Sequence, residues 1–248
     1  MRIDVFPVGL PPAPSDLAGR VVVVIDVLRA STTIAVALAN GARNIIPFDS
    51  TEDVILRSKS YERGEVRLAG ERRMHAVPGF DFGNSPLEFT PEAVDGKTVL
   101  FSTTNGTGAL VAVQGARDVV VGAYVNFSAV LTLLRAAARG GTDLAVLCAG
   151  RDRQFSLEDA ACAGRFVRHL VDRLPDAELG DGSRAALHIE RAYGDDIVRL
   201  FDESAHGRAL REAGFADDLE VCAAVDSHPV IPVYQDRQIT KLGPDRSR

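Results

Sequence analysis

The sequence contains no apolar stretch of bilayer length. Its longest early run, residues 21–25, ends at Asp26, far short of the ~20 apolar residues of a spanning helix. No apolar core of signal-peptide length follows Met1, Arg2, Ile3 and Asp4, so the expectation is a cytoplasmic protein with no membrane role. Cysteine is scarce. Cys148, Cys162 and Cys222 are odd in number and lack paired C-x-x-C spacing, which speaks against a disulfide framework or a zinc site and suits free thiols. Positive charge is in deficit: 28 Lys+Arg stand against 34 Asp+Glu, a formal charge of −6. That disfavours nucleic acid or an acidic membrane as the main partner. An anionic ligand must therefore find a locally positive pocket in an acidic protein. The histidines, His75, His169, His188, His206 and His228, show no H-x-x-x-H spacing. Only His75, in a glycine-rich loop, is retained as an acid or base.

What is present is an ordinary globular composition, 46% hydrophobic and 25% charged over 248 residues, with ample length for a core. Short apolar runs alternate with polar or glycine turns and longer helical segments. Strands are predicted at 21–25, 44–48, 65–69, 98–101, 118–121, 144–148 and 230–234. Helices are predicted at 32–39, 51–61, 108–113, 127–138, 157–171, 185–204 and 207–225. Repeated βα units predict an α/β fold whose largely parallel or mixed sheet is covered by helices on both faces. One domain, 1–248, with a partly helical C-terminal subregion at 176–248, is the simplest organisation. Residues 70–91 break the pattern. With Phe80, Phe82, Leu87 and Phe89 they are too apolar for a solvated linker, and loops of that length are commonly functional. Apolar faces in the C-terminal segments raise the expectation of a homo-oligomer.

In open α/β sheets, ligands bind beyond the carboxyl ends of the strands. Three segments have that position. In the first, Asp26 follows the valine-rich strand, Arg29 lies three residues on, and Ser31, Thr32 and Thr33 open the next helix. A strand-tip carboxylate can bind a metal ion or polarise water, and the helix start favours an anion; Ser31 as a plain N-cap is the bland alternative. The second runs through Ser102, Thr103, Thr104, Asn105, Gly106, Thr107 and Gly108. It suits a backbone wrapped around phosphate oxygens, beyond what capping alone requires. It is neither a Walker loop nor a full dinucleotide fingerprint. The third carries Arg151, Ser156, Glu158 and Asp159. Ser156 and Asp159 have capping-box spacing, which leaves Asp159 ambiguous and makes Glu158, about 100° around the helix, the better metal candidate. The long loop adds Glu71, Arg72, Asp81, Asn84 and Glu88, carboxylates for a hard cation and arginine for bidentate anion binding.

Four ordered stretches resemble the 2-phosphosulfolactate phosphatase family. They are Val24 through Thr33, Pro78 through Pro86 (Gly79, Phe80, Asp81, Phe82, Gly83, Asn84 and Ser85 between them), Ser102 through Thr107, and Cys148 through Asp159. The C-terminal third adds little. One departure lies after Glu71 and Arg72, where small residues are expected and this chain has Arg73, Met74 and His75. The resemblance implies a three-layer αβα fold and a magnesium-dependent hydrolase acting on 2-phospho-3-sulfolactate, a step towards coenzyme M.

The mechanism expected from these residues is direct in-line hydrolysis. Mg2+ is held by Asp26 and Glu158 with Glu71 or Asp81, and Asp81, Glu71 or Asp159 takes the proton of water. Arg29, Ser31, Thr32, Thr33, Arg72, Asn84, the 102–107 loop and Arg151 are the expected contacts to a small anionic phosphorylated substrate. An aspartyl-phosphate route through Asp26 meets Leu28 where a second Asp is required. A phosphatase of another small phosphorylated acid, a nucleotide-binding oxidoreductase and a noncatalytic small-anion binder remain as alternatives.

Overall fold

In the computed structural model, which describes residues 1–8, 12–62, 64–113 and 115–243, the apolar run at 21–25 is a strand buried on both faces. Val21, Val23 and Ile25 join one core cluster, and Val22 and Val24 the other. This is the period-2 alternation of a strand whose sheet is covered on both sides. Each such side chain, fully buried, contributes about 1.5–3 kcal/mol.

The strands are β1 (Arg2–Phe6), β2 (Val21–Ile25), β3 (Asn44–Pro47), β4 (Val66–Arg72), β5 (His75–Ala76), β6 (Thr98–Ser102), β7 (Asp118–Gly122), β8 (Leu144–Cys148), β9 (Glu178–Leu179), β10 (Pro232–Gln235) and β11 (Gln238–Lys241). They form one sheet in the order β5-β4-β6-β3-β11-β10-β7-β2-β8-β1-β9. The helices are α1 (Pro14–Leu17), α2 (Ala30–Ala39), α3 (Thr51–Ser58), α4 (Pro91–Val94), α5 (Gly106–Ala112), α6 (Phe127–Arg139), α7 (Leu157–Val171), α8 (Asp181–Tyr193), α9 (Ile197–Glu203), α10 (Ala205–Glu212) and α11 (Ala216–Ala223). Phe127 and Val130 of α6 and Phe166 and Val167 of α7 pack in one core, while Ile34 and Leu38 of α2 and Leu110 of α5 pack in the other. The fold is thus three-layer α/β.

The sheet is mixed for a specific reason. The β10–β11 hairpin, turned by Asp236 and Arg237 at positive φ, inserts between two parallel sets. It pairs antiparallel with β7 on one side and β3 on the other. The set β7, β2, β8 and β1 therefore runs opposite to β3, β6 and β4 within the sheet. Strand twist of about 20–25° per step, over the five steps from β2 to β6, accumulates to about 100–125°. That rotation turns opposed strands across one another, so the carboxyl tips of both sets can face one cavity.

Three segments differ from expectation. The predicted helices at 185–204 and 207–225 are four helices, broken at Gly194, at Ser204, whose Oγ caps α10 by accepting from the Gly207 N–H, and at Gly214. Glycine at positive φ and an N-capping serine are stop and start signals that apolar periodicity alone overrides. The C-terminal strand pair lies mid-sheet, bonded to both halves. The 70–91 segment is built rather than irregular. β4 extends to Arg72, Arg73 and Met74 turn a hairpin at positive φ, and Glu88 accepts from the Gly83 and Ser85 N–H groups. Among the described residues, no helix is long and apolar enough to cross a membrane.

Candidate active site

Where the two strand sets meet there is a cavity of about 160 Å³, smaller than the roughly 300–1,000 Å³ of drug-sized ligand pockets. Asp26, Arg29, Glu71, Arg73, Asn84, Thr104, Asn105, Arg151 and His206 are in its wall. Asp26, the tip of β2, is its buried centre. Its carboxylate accepts from the Ala30 N–H at the start of α2, yet burial raises its pKa to about 6; the neighbouring Glu71 and Glu158 carboxylates add to the rise and His206 opposes it. The start of α5 presses directly on this group. A Cβ at Gly106 would lie 2.7 Å from Asp26 Oδ2 and 2.6 Å from Ala30 Cβ, so the glycine allows helix and carboxylate to meet. Alanine is the better helix former by about 1 kcal/mol, so Gly106→Ala isolates the steric effect. We expect it to lower turnover about 100-fold by displacing Asp26 on the order of 1 Å; wild-type turnover in a steady-state assay would contradict that role.

Glu71, at the end of β4, bridges two loops. Oε1 accepts from the Thr104 N–H at 2.7 Å and Oε2 from the Met74 N–H at 2.9 Å. The loop after β6 is thus fixed to the β4–β5 hairpin. Thr103 and Thr107 cap each other through backbone and hydroxyl, while Thr104 and Asn105 stay at the cavity. Asn105 Oδ1 also accepts from the Asp152 N–H, joining a tight turn at Asp152 and Arg153 to this wall. Asn84 is 6% exposed, and its Oδ1 has no partner among the described residues. An unpaired buried acceptor costs about 1–3 kcal/mol, which a ligand or water at the cavity removes.

Several expected contacts are spent on the fold itself. Ser31 Oγ accepts from the Asp26 N–H, Thr32 Oγ1 donates to Val27 O, and Thr33 Oγ1 donates to Asn84 O. All three are buried, and α2 begins earlier, at Ala30. They shape the loop rather than face the cavity. Arg72 donates to Ser102 Oγ and Ser102 O, pairing these two residues away from the cavity wall. Asp81 is exposed and accepts from the Leu68 N–H on β4, outside the cavity wall; it does not have the position of a general base. Arg29 is in the wall, but its guanidinium donates to Asp218 Oδ2 at 2.6 Å and to Met74 O, over the ring of Phe215.

The two acidic residues of α7 have other partners than those expected for them. Asp159 caps nothing with its carboxylate: Oδ1 accepts from the Val27 N–H and Oδ2 from the Gly150 N–H, tying the tips of β2 and β8. Burial, then Asp26 and Glu158, push its pKa well up. Ser156 alone does the capping. Glu158 Oε1 lies 3.3 Å from His206 Nδ1. Burial raises this carboxyl, but the hydrogen bond and charge of His206 outweigh it and leave its pKa below the ordinary range. Glu158 stands behind His206 rather than in the cavity wall. His206 and Asp218 were unmarked by any motif. His206 follows an ordinary helix cap at Ser204, and Asp218 reads as a first-turn acid of α11.

Among the described residues, no three His, Cys, Asp or Glu side chains cluster to hold a metal ion by themselves. Asp26 and Glu71 nevertheless fit magnesium, which binds one or two carboxylates and completes its shell with water and substrate oxygens. Four buried carboxylates, Asp26, Glu71, Glu158 and Asp159, crowd this end of the fold. Arg29 is already neutralised by Asp218, which leaves Arg73, Arg151 and His206 as the other basic groups of the wall.

Comparison with known proteins shows the family. The family model described as 2-phosphosulpholactate phosphatase matches residues 10–237. A probable 2-phosphosulfolactate phosphatase of Symbiobacterium thermophilum is 40% identical over 95% of this chain and 99% of its own length. That of Caldanaerobacter subterraneus subsp. tengcongensis is 40% identical over 88% of each chain, and that of Clostridium acetobutylicum 31% over 96% of this chain and all of the relative. The match continues beyond the four recognisable stretches into the segment that supplies His206 and Asp218, and the chain belongs to the 2-phosphosulfolactate phosphatase family.

Proposed function

We propose that this enzyme hydrolyses 2-phospho-3-sulfolactate to 3-sulfolactate and phosphate with magnesium as cofactor, a step towards coenzyme M. The observation that carries this reading is a small cavity in which a buried carboxylate, Asp26, shares the wall with arginines and one unpaired polar atom, Asn84 Oδ1. A noncatalytic anion binder has no use for a carboxylate at its centre, since like charge repels the ligand. Asp26 and Glu71 would hold the ion, which supplies hard positive charge against the phosphoryl oxygens. Thr104, Asn105, the Asn84 amide and Arg151 orient the phosphoryl group from the opposite walls. His206 keeps Nδ1 towards Glu158, leaving Nε2 to give a proton to the departing alkoxide oxygen as its bond to phosphorus breaks and a water oxygen bonds to phosphorus from the opposite side; a proton of that water then resets Nε2.

The test is phosphate release from 2-phospho-3-sulfolactate, 2-phosphoglycerate and 2-phospholactate, each with magnesium and with chelator. The sulfonate ester should turn over at least about tenfold faster in kcat/KM than 2-phospholactate, because a lost charge-assisted contact is worth about 1.5–3 kcal/mol. Chelation should abolish the reaction. Equal rates on all three esters would refute the substrate, and turnover that survives the chelator would refute the metal.

A further inference from the structure

The guanidinium of Arg29, in the cavity wall with its side chain 2% exposed, is gripped by three groups. Nη1 donates to Asp218 Oδ2 at 2.6 Å and Nη2 to Met74 O at 3.1 Å. These bonds spend two of the five N–H donors of the fork, and Nε has no partner among the described residues. Two hydrogen bonds at its edge leave a planar fork free to pivot about the line that joins them. The third group removes that freedom. Arg29 Cζ lies over the ring of Phe215, 4.2 Å from its centroid, and a cation over an aromatic face is held most strongly where water is excluded. Phe215 itself is not among the cavity-lining residues. It follows Gly214, at φ 88°, its N–H donates to Leu210 O at 2.8 Å, and α11 begins at the next residue. One helix start thus supplies both the ring and the counter-charge, Asp218. His75, the histidine that the sequence singles out, also meets this ring at 6.3 Å, outside the cavity wall.

We infer that Phe215 is a positioning residue, whose ring fixes the tilt at which the remaining N–H groups of Arg29 meet the phosphoryl oxygens. It touches neither substrate nor metal and acts through Arg29 alone. The inference rests on the phosphatase reading for its ligand, and on the stacking geometry for its residue. No motif marks Phe215, which reads in the sequence as one more apolar position of a C-terminal helical segment. Its packing at the edge of the larger core accounts for an apolar side chain there. The approach of a buried cation to its face is what calls for an aromatic one.

Phe215→Leu, Phe215→Tyr and Phe215→Trp, compared with wild type, test the inference. Leucine keeps an apolar group against the core, whereas tyrosine and tryptophan also keep the aromatic face. On 2-phospho-3-sulfolactate, Phe215→Leu should lose about tenfold in kcat/KM, chiefly in KM, because Arg29 holds ground state and transition state alike. Phe215→Tyr and Phe215→Trp should stay within about threefold of wild type. Calorimetric binding of inorganic phosphate in magnesium reads the same grip without turnover and should fall in the same order. Melting temperatures of the four proteins supply the control, since a packing role ranks the variants by stability and leaves KM indifferent to aromaticity. An unchanged KM in Phe215→Leu, or equal losses in all three variants, would overturn the role of Phe215 and leave the phosphatase standing. If wild type does not hydrolyse the ester, the phosphatase reading falls and phosphate affinity decides alone. Equal affinity in wild type and Phe215→Leu, or no binding by wild type, would then sink the inference.

Discussion

Asp26→Asn should lose about a thousandfold in turnover or more and, held in chelator at pH 8, should be more stable than wild type. The two effects have one cause. Asp26 is 6% exposed, and burial together with Glu71 and Glu158 holds its pKa at about 6 against an ordinary value of 3.8. Ionising it in the folded protein above that pH therefore costs about 3 kcal/mol relative to the unfolded chain. Asparagine keeps an oxygen for the Ala30 N–H and carries no charge. For a chain of this length the gain corresponds to about 6–12 °C in melting temperature.

The dependence on pH has a fixed sign. A carboxyl whose folded pKa is raised contributes its stability in full below pH 3.8, and that contribution is lost as pH rises through about 6. The difference in melting temperature between variant and wild type should thus be absent near pH 3.8 and complete above about pH 7. Groups distant from Asp26 titrate alike in both proteins and cancel in the difference, whereas Asp159, raised in part by Asp26, should titrate lower in the variant. Magnesium should narrow the gap by stabilising wild type alone. Thermal melts of both proteins from pH 4 to 8, with chelator and with magnesium, check every part of this. A variant no more stable than wild type at pH 8 in chelator would mean that Asp26 bears no such strain.

What the sequence disclosed here followed from local pattern. The valine run of β2, the βα alternation and the glycine-bearing loop at 102–107 are written in adjacent residues, and each lies where its pattern places it. The mid-sheet position of β10 and β11 is not written locally. A hairpin at the chain end pairs with β7 and β3 only through long-range register. That insertion also reverses one strand set, which βα alternation alone cannot reveal. Site residues divide in the same way. Asp26, Glu71 and Asn84 were legible as strand-tip and loop polar groups. Ser31, Thr32, Thr33 and Arg72 have the right chemistry, but their donors are consumed by backbone partners that only the fold supplies. His206 and Asp218 come from helices whose local sequence has an ordinary explanation, so their part depends on which loops they pack against.

Asp218 is the sharper instance, and its removal should be among the most destabilising single changes in the protein. Its two oxygens serve two loops: Oδ2 accepts from Arg29 Nη1 and Oδ1 from Ser85 Oγ, both at 2.6 Å. The side chains of Asp218 and Arg29 are each 2% exposed, so solvent cannot replace the lost partner. Asp218→Ala leaves a buried guanidinium without counter-charge and should cost about 3–5 kcal/mol, with turnover falling as Arg29 leaves the cavity wall. Ser85→Ala, which removes one neutral donor to a charged acceptor, should cost less, about 1.5–3 kcal/mol. Pairing Asp218→Leu with Arg29→Met removes both charges and should recover much of the stability, because apolar replacement of a buried ion pair is often neutral or better. Activity should not return with it, since the cavity wall would still lack Arg29. Denaturant melts and phosphate release on the single and double variants separate the two roles. Recovery of turnover along with stability in the double variant would show that Arg29 serves only to hold α11 against the β2 tip.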